Sequence, residues 1–389
     1  MVSRTSGHIY ALICLLLAVA STAVAADWKD VRTDKVGELE VTLSAPVLVL
    51  RSEGYCWFPT MTQLAGGELL AVMSNYHDDH VEKATAALCW SADGGLTWSE
   101  PKIGLYSDAA LRLPSGDQLL IPYYLRPKGA GVMSAPYQLV PKGKREAKEM
   151  IEGLTITGWP RPDKSFSPQL GLSGFVFNGN TVEIKDGHLA MLYGYFKDTK
   201  RYSLVAAESQ NGVAWKVRAV LADETCPLPG AEGPCESATC RLKDGRLMCV
   251  FRLASNVSYG QTISGDDGKT WSKPQNLPAG VGSVQPALAA LPSGTLVLSG
   301  GRPGLYAWFN TDGSGKDWQR VDLLAHHNAC QEKDAIPNPA SGTSAYTELL
   351  RLDDTHVLCI YDRLARGWSA IPKGSGETNS VWVVRMTVK

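Results

Sequence analysis

Ionisable residues flanking short apolar runs are the first candidates for chemistry, because a strand end can present a side chain to a pocket that the strand itself cannot enter. Glu236 opens the run Glu236-Ser237-Ala238-Thr239-Cys240-Arg241-Leu242, and Arg252 follows Leu247-Met248-Cys249-Val250-Phe251. The Asp244-Gly245 turn between these runs returns the chain on itself, which sets the carboxylate and the guanidinium at one end of the same two strands. The pair reads either as part of a site or as a salt bridge at a strand end. A second concentration follows Leu69-Leu70-Ala71-Val72-Met73, where the chain runs Ser74-Asn75-Tyr76-His77-Asp78-Asp79-His80. Asp78 or Asp79 would serve as a proton donor if burial raised its pKa; simple loop polarity is the alternative. His77 and His80 with two Asp also suggest a metal, but the spacing matches no common zinc motif, and no metal or other cofactor is assigned.

These residues must be positioned by a folded chain, and the composition limits which kind. In 389 residues, 38 Lys and Arg oppose 39 Asp and Glu, a net charge of -1 that gives no reason to expect a nucleic-acid partner. With 44% hydrophobic and 20% charged residues the chain is globular, and its 38 Gly, 22 Pro, 11 Trp and 14 Tyr suit many short strands and tight turns rather than a helical bundle. Arg4, the apolar run over 9–20 and the small-x-small sequence Ala23-Val24-Ala25 read as a signal peptide spanning residues 1–25. A secreted or periplasmic protein without a membrane span is therefore expected. Cys14 lies in that leader but lacks a small residue just ahead of it, so no lipid anchor is expected. Of the eight remaining cysteines, Cys226 and Cys235 bracket a Pro/Gly loop that a disulfide would staple. Cys240 and Cys249 flank one turn and read equally as a bridge or as buried thiols.

One phrase recurs six times: an apolar residue, a turn ending in Gly, a polar residue, then Leu, Val or Met. Its copies include Leu64-Ala65-Gly66-Gly67-Glu68-Leu69, Leu113-Pro114-Ser115-Gly116-Asp117-Gln118-Leu119, Ile184-Lys185-Asp186-Gly187-His188-Leu189, Leu242-Lys243-Asp244-Gly245-Arg246-Leu247 and Leu291-Pro292-Ser293-Gly294-Thr295-Leu296. Leu352-Asp353-Asp354-Thr355-His356-Val357 is a weaker sixth. Each reads as a hairpin. Gly67, Gly116, Gly187, Gly245 and Gly294 are 49, 71, 58 and 49 residues apart, the spacing of four-stranded units. The fold class expected is all-β, a six-bladed β-propeller of four-stranded antiparallel blades over residues 36–389. The stretch 126–168, with its charge run over 142–149, reads as an insertion in the second blade, either a surface loop or a substrate lid. Ser380 to Val388 alternates as a strand and is placed beside Val47-Leu48-Val49-Leu50 in the last blade.

A second repeat follows four of the turns. Ser91-Ala92-Asp93-Gly94-Gly95-Leu96-Thr97-Trp98 and Ser264-Gly265-Asp266-Asp267-Gly268-Lys269-Thr270-Trp271 share S-x-D-x-G-x-T-W, and looser copies end at Trp215 and Trp318. Asp accepts backbone N–H bonds inside such a turn and Trp packs between sheets, so these residues are structural. Two full and two decayed copies of this Asp-box in six blades resemble the sialidase (neuraminidase) superfamily, over about residues 45–389.

The resemblance implies roles. Glu236 would polarise a nucleophile and Arg252 would hold a substrate carboxylate. Arg302, in Gly301-Arg302-Pro303-Gly304, stands where sialidases place another carboxylate-binding Arg. Ala345-Tyr346-Thr347-Glu348-Leu349 is similar to the segment carrying their nucleophilic Tyr, so Tyr346 would be the nucleophile and Asp79 or Asp78 the general acid. A phenol, with an ordinary pKa of about 10, needs a carboxylate such as Glu236 to take its proton. A neutral nucleophile also avoids repulsion from a carboxylate on the anomeric carbon. One departure is pronounced: where sialidases begin with Arg-Ile-Pro, this chain reads Trp57-Phe58-Pro59. Arg51 would replace the missing Arg only if the chain folded back, whereas Trp57 would stack on a sugar face. Tyr361-Asp362 stands where the family usually reads Tyr-Glu. The function expected is a secreted exo-acting glycoside hydrolase of exo-α-sialidase type, retaining, on a glycan carrying a carboxylate. The alternatives are a related propeller acting on another glycan, as hydrolase or lyase, and a non-catalytic glycan- or protein-binding propeller.

Overall fold

The computed structural model describes residues 27–78, 85–129, 131–147, 149–161, 165–166, 175–369 and 371–389. The expected signal peptide (1–25), Asp79 and His80 lie outside them. The described residues are nearly all β, with one eight-residue helix, Leu323–Cys330, whose first turn is capped by Asp322 accepting from the Ala325 N–H at 2.8 Å.

The strands fall into six antiparallel meanders. The first comprises Trp57–Gln63, Leu69–Ser74, Thr85–Ser91 and Lys102–Leu105, and the second Ser107–Arg112, Gln118–Pro122, Val132–Val140 and Met150–Thr157. The third is built on Val182–Ile184, Gly187–Phe196, Arg201–Ser209 and Ala214–Ala222; its last strand pairs in parallel with the last strand of the second. The fourth (Ser237–Arg241, Leu247–Phe251, Gly260–Ser264, Gln275–Asn276) and the fifth (Ala287–Ala290, Leu296–Gly301, Leu305–Asn310, Gln319–Asp322) are separate four-stranded sheets. The sixth joins Thr347–Arg351, His356–Arg363 and Asn379–Val388 to three N-terminal strands, of which Asp30–Val36 pairs only with Leu39–Ser44. Val47–Ser52 pairs with one half of Asn379–Val388, as the alternation of Ser380 to Val388 suggested, and Leu39–Ser44 with the other.

Alternation along each strand sends successive side chains to opposite faces, and both faces are buried. Thus Leu247, Cys249 and Phe251 pack toward the third meander, while Met248 and Val250 pack toward the fifth. Six apolar clusters result, one between each successive pair of meanders and one between the sixth and the first. A cavity near the centre is lined by first strands of several meanders, through Thr60, Ala109 and Glu348 among others. The sheets therefore form a nearly closed ring.

The recurring phrase folds alike at four of its six sites. Gly67, Gly116, Gly245 and Gly294 take φ of 86–102° and donate to the carbonyls of Leu64, Leu113, Leu242 and Leu291 at 2.8–2.9 Å. Only glycine enters that region without strain. In the second repeat, Asp266 accepts from Lys269 N (3.1 Å), Thr270 N (2.8 Å) and Thr270 Oγ1 (2.6 Å), and Trp271 Nε1 donates to Gly268 O at 3.2 Å. Those bonds hold the Asp266 carboxyl down to about 2. Because its pKa is depressed on folding, its stabilisation is present above about pH 4 and is lost as pH falls toward 2. Asn211 already fills this place in one copy, accepting from Val213 N and Ala214 N at 2.9 Å. Asp266→Asn is therefore expected to keep the fold at neutral pH and to lose less thermal stability than the parent between pH 4 and 2, read by calorimetry.

Two expectations are corrected. The stretch 126–168 holds the third and fourth strands of the second meander, not an insertion; Gln138, Leu139 and Val140 pair with Leu120, Leu119 and Gln118, and the charge run is the turn beyond them. The eight cysteines of residues 27–389 are free thiols. Cys240 and Cys249 lie on opposite faces, since Cys240 pairs with Met248 and Cys249 with Thr239. Cys235 instead directs its thiol to the Arg252 carbonyl (3.7 Å) rather than to Cys226.

Candidate active site

Glu236, immediately before the first strand of the fourth meander, and Arg252, immediately after its second, meet as the hairpin requires: the Arg252 N–H donates to Glu236 O at 2.8 Å and Arg252 Nη1 to Glu236 Oε2 at 2.8 Å. Tyr346, before the first strand of the sixth meander, donates its hydroxyl to Glu236 Oε1 and accepts from Arg252 Nη1 at 3.1 Å. Three side chains distant in sequence thus share one hydrogen-bonded cluster. Arg252 Nη2 is bound to Glu232 (2.9 Å) and to Ser255 (3.4 Å). Burial alone would lower the Arg252 pKa, but Glu236, Tyr346 and Glu232 raise it, so the guanidinium stays charged. Enclosure and the Glu236 charge push the Tyr346 phenol well above its ordinary range, opposed by Arg252 and Arg302. The resting phenol is protonated and hydrogen-bonded to its acceptor.

Tyr346 and Glu236 line a pocket with Asp78, Phe58, Ser74, Tyr76, Tyr106, Tyr123, Tyr124 and Gln285. Asp78 therefore shares the pocket with the Tyr346–Glu236 pair. Arg302 stands behind Tyr346, its guanidinium 5.6 Å from the Tyr346 ring and 4.6 Å from the Trp368 ring, with Nη2 donating to Ser344 O at 2.7 Å.

Two sequence-based assignments do not hold. Trp57 is 1% exposed, with its ring against Tyr55, Phe58 and Trp368 and Nε1 donating to Tyr76 O at 3.0 Å, so no sugar face can reach it. Phe58 lines the pocket instead, its ring 4.8 Å from that of Tyr346. Arg51 does not fold back; it forms a two-pronged pair with Asp334 at 2.6 and 2.7 Å on the outer surface.

The sequence reading passed over Tyr123, Gln285 and Phe58. Tyr123 shares a hydrogen bond with Tyr193 near Glu236, and Gln285 accepts from Asn178 Nδ2 at 2.9 Å. Tyr123 obeys the rule that places Glu236 and Arg252, since it directly follows a meander's second strand, whereas Gln285 lies two residues before a first strand and Phe58 is the second residue of one. Asp362 holds this rim together. It is fully buried and accepts from Phe58 N (3.1 Å), Thr343 Oγ1 (2.9 Å), Ser344 N (2.7 Å) and Ser344 Oγ. These bonds fix Phe58 and Ala345, both at positive φ (47° and 61°), a conformation costing on the order of 1–3 kcal/mol at each non-glycine residue. Asp362→Ala would strand these donors and is expected to lower stability by about 2–4 kcal/mol in urea titration.

No protein-family model and no curated protein matches this chain. Solved structures do. A protein of unknown function from Dyadobacter fermentans aligns over 90% of this chain and 99% of its own, with TM-score 0.66 and 17% identity. The α-L-arabinofuranosidase Arb93A of Fusarium graminearum covers 88% of this chain and 97% of its own (TM-score 0.58, 16% identity). The NanB sialidase of Streptococcus pneumoniae covers 89% and 70% (TM-score 0.53, 15% identity). The architecture is thus the propeller fold of glycoside hydrolases, shared by sialidases and GH93 arabinofuranosidases. Among the described residues no helix is long and apolar enough to cross a membrane.

Proposed function

We propose that this chain is an exo-acting, retaining glycoside hydrolase on a six-bladed propeller, using the sialidase type of double displacement on a terminal sugar that bears a carboxylate at its anomeric carbon. The observation carrying this reading is the Tyr346–Glu236–Arg252 cluster on a pocket that also holds Asp78. In the first step the Tyr346 oxygen attacks the anomeric carbon while its proton passes to Glu236. The bond to the leaving oxygen breaks as Asp78, or its neighbour Asp79, donates a proton to that oxygen. In the second step water attacks the same carbon, the aspartate takes the water's proton, and Tyr346 leaves with the proton returned from Glu236. Arg252 and Arg302, flanking Tyr346, would meet the substrate carboxylate. The leader over 1–25 fits a secreted or periplasmic site of action. Hydrolysis of a fluorogenic α-sialoside, with the anomer first released followed by NMR, tests the reading: release of the α anomer supports it, and inversion or no turnover refutes it.

A specific observation favours a second reading, a different glycan. The place of the family's first arginine is taken by buried Trp57 and pocket-lining Phe58, and Arg252 is already bound by Glu232, Glu236 and Tyr346. Turnover of uronic-acid or neutral exo-substrates with none of sialosides would identify it. Glycan binding without turnover, unchanged in Tyr346→Phe, would mark a binding propeller.

A further inference from the structure

A second cleft is bordered by Arg302, Tyr306, Arg320, Asn256 and Ser283. Arg302 links it to the pocket at Tyr346, since it borders this cleft and its guanidinium lies 5.6 Å from the Tyr346 ring. No Asp or Glu is among the cleft's lining residues. Arg320 lies over Tyr306, 4.8 Å from the ring centre, and Arg302 contacts two rings and one carbonyl. Arg302 Nε is buried with no hydrogen-bond partner. Arg252 offers the contrast, since its charge is met by Glu232 and Glu236.

A guanidinium held over a ring gives up less side-chain entropy when its N–H groups bind an anion. Two such cations without a nearby carboxylate attract negative charge strongly, and their planar forks match carboxylate and sulfate oxygens. Tyr306 adds a ring edge of the kind that packs against a sugar. We infer that Arg320 forms an anion-accepting subsite beside Arg302, which takes an acidic substituent, carboxylate or sulfate ester, on the sugar residue next to the one whose own carboxylate Arg302 would meet. The inference rests on the glycan reading of the pocket but not on catalysis.

Its test therefore reads binding and not turnover. Ligand-observed NMR titrations would compare methyl β-D-glucuronide and N-acetylglucosamine 6-sulfate with methyl β-D-glucoside and N-acetylglucosamine. The proteins are the unmodified chain, Tyr346→Phe and Arg320→Ala. The expected result is that at least one acidic sugar binds about tenfold more tightly than its neutral counterpart, equally in the unmodified chain and Tyr346→Phe, and that Arg320→Ala erases the preference. Whether the glucuronide or the sulfate gains tells which anion the subsite takes. No preference for the acidic sugars, or a preference that survives Arg320→Ala, overturns the inference. Arg320 is exposed at the end of the meander, so unchanged thermal unfolding of Arg320→Ala would show that the loss is local. A failure of the sialoside assay alone would leave this binding result standing.

Discussion

Tyr346→Phe is expected to reduce turnover of a susceptible glycoside by on the order of 10³-fold or more while leaving the protein folded. The substitution removes one oxygen, the only atom of that side chain able to form the glycosyl–enzyme bond. Its structural cost is limited, because Glu236 keeps its 2.8 Å bond from Arg252 and the phenylalanine ring retains the edge contact with Phe58. A stability change of about 1 kcal/mol is expected, the usual scale for one hydrogen bond. Loss of activity with an unfolding midpoint near that of the parent separates a chemical role from a structural one. Retention of a tenth or more of the activity would remove Tyr346 from the mechanism.

Arg252→Ala is expected to have the largest effect on stability, about 3–5 kcal/mol by urea unfolding. The side chains of Arg252 and Glu236 are each 11% exposed, and deleting the guanidinium leaves the Glu236 carboxylate without its cation and Tyr346 without its donor. Glu232, at 35% exposure, can turn toward water and adds less. The cost comes from the stranded charge more than from the lost pair, so removing both charges should be milder. Arg252→Met combined with Glu236→Gln is expected to recover about 1–2 kcal/mol relative to Arg252→Ala. Additive losses in the double variant would show that the two groups are not coupled.

How much the sequence revealed followed from how local each rule is. Hairpins at Gly67, Gly116, Gly245 and Gly294 were legible because a positive φ at one residue determines the turn. The meeting of Glu236 and Arg252 followed from a single hairpin with no need of tertiary information. The outer strands Val132–Val140 and Met150–Thr157 were not legible, since the turn joining them is a charge run without the Asp-Gly pattern. The facing of Trp57 and Phe58 was hidden for another reason. The pairing register shifts between Trp57 and Thr60, and such an irregularity reverses which side chain faces the pocket. Phe58, at φ 47° with its N–H on Asp362, takes the place at the rim while Trp57 turns into the packed interior. Tyr123 and Gln285 carry no charge at neutral pH and stand in no phrase that resembles the family's, although Tyr123 follows a second strand just as Arg252 does. Long-range events, the approach of Tyr346 to Glu236 and the pairing of Arg51 with Asp334, depend on how the meanders are arranged and have no local trace.

The central claim is that Tyr346 forms the covalent bond. The most direct measurement is mass spectrometry of the protein after incubation with a fluorinated sialosyl fluoride, whose fluorine beside the anomeric carbon slows release of the glycosyl–enzyme. The account predicts a mass increase of one sugar residue, localised after proteolysis to the peptide containing Tyr346 and absent in Tyr346→Phe. A label on Asp78 or any other side chain, or hydrolysis of sialosides with no trapped adduct and an inverted product, would contradict it.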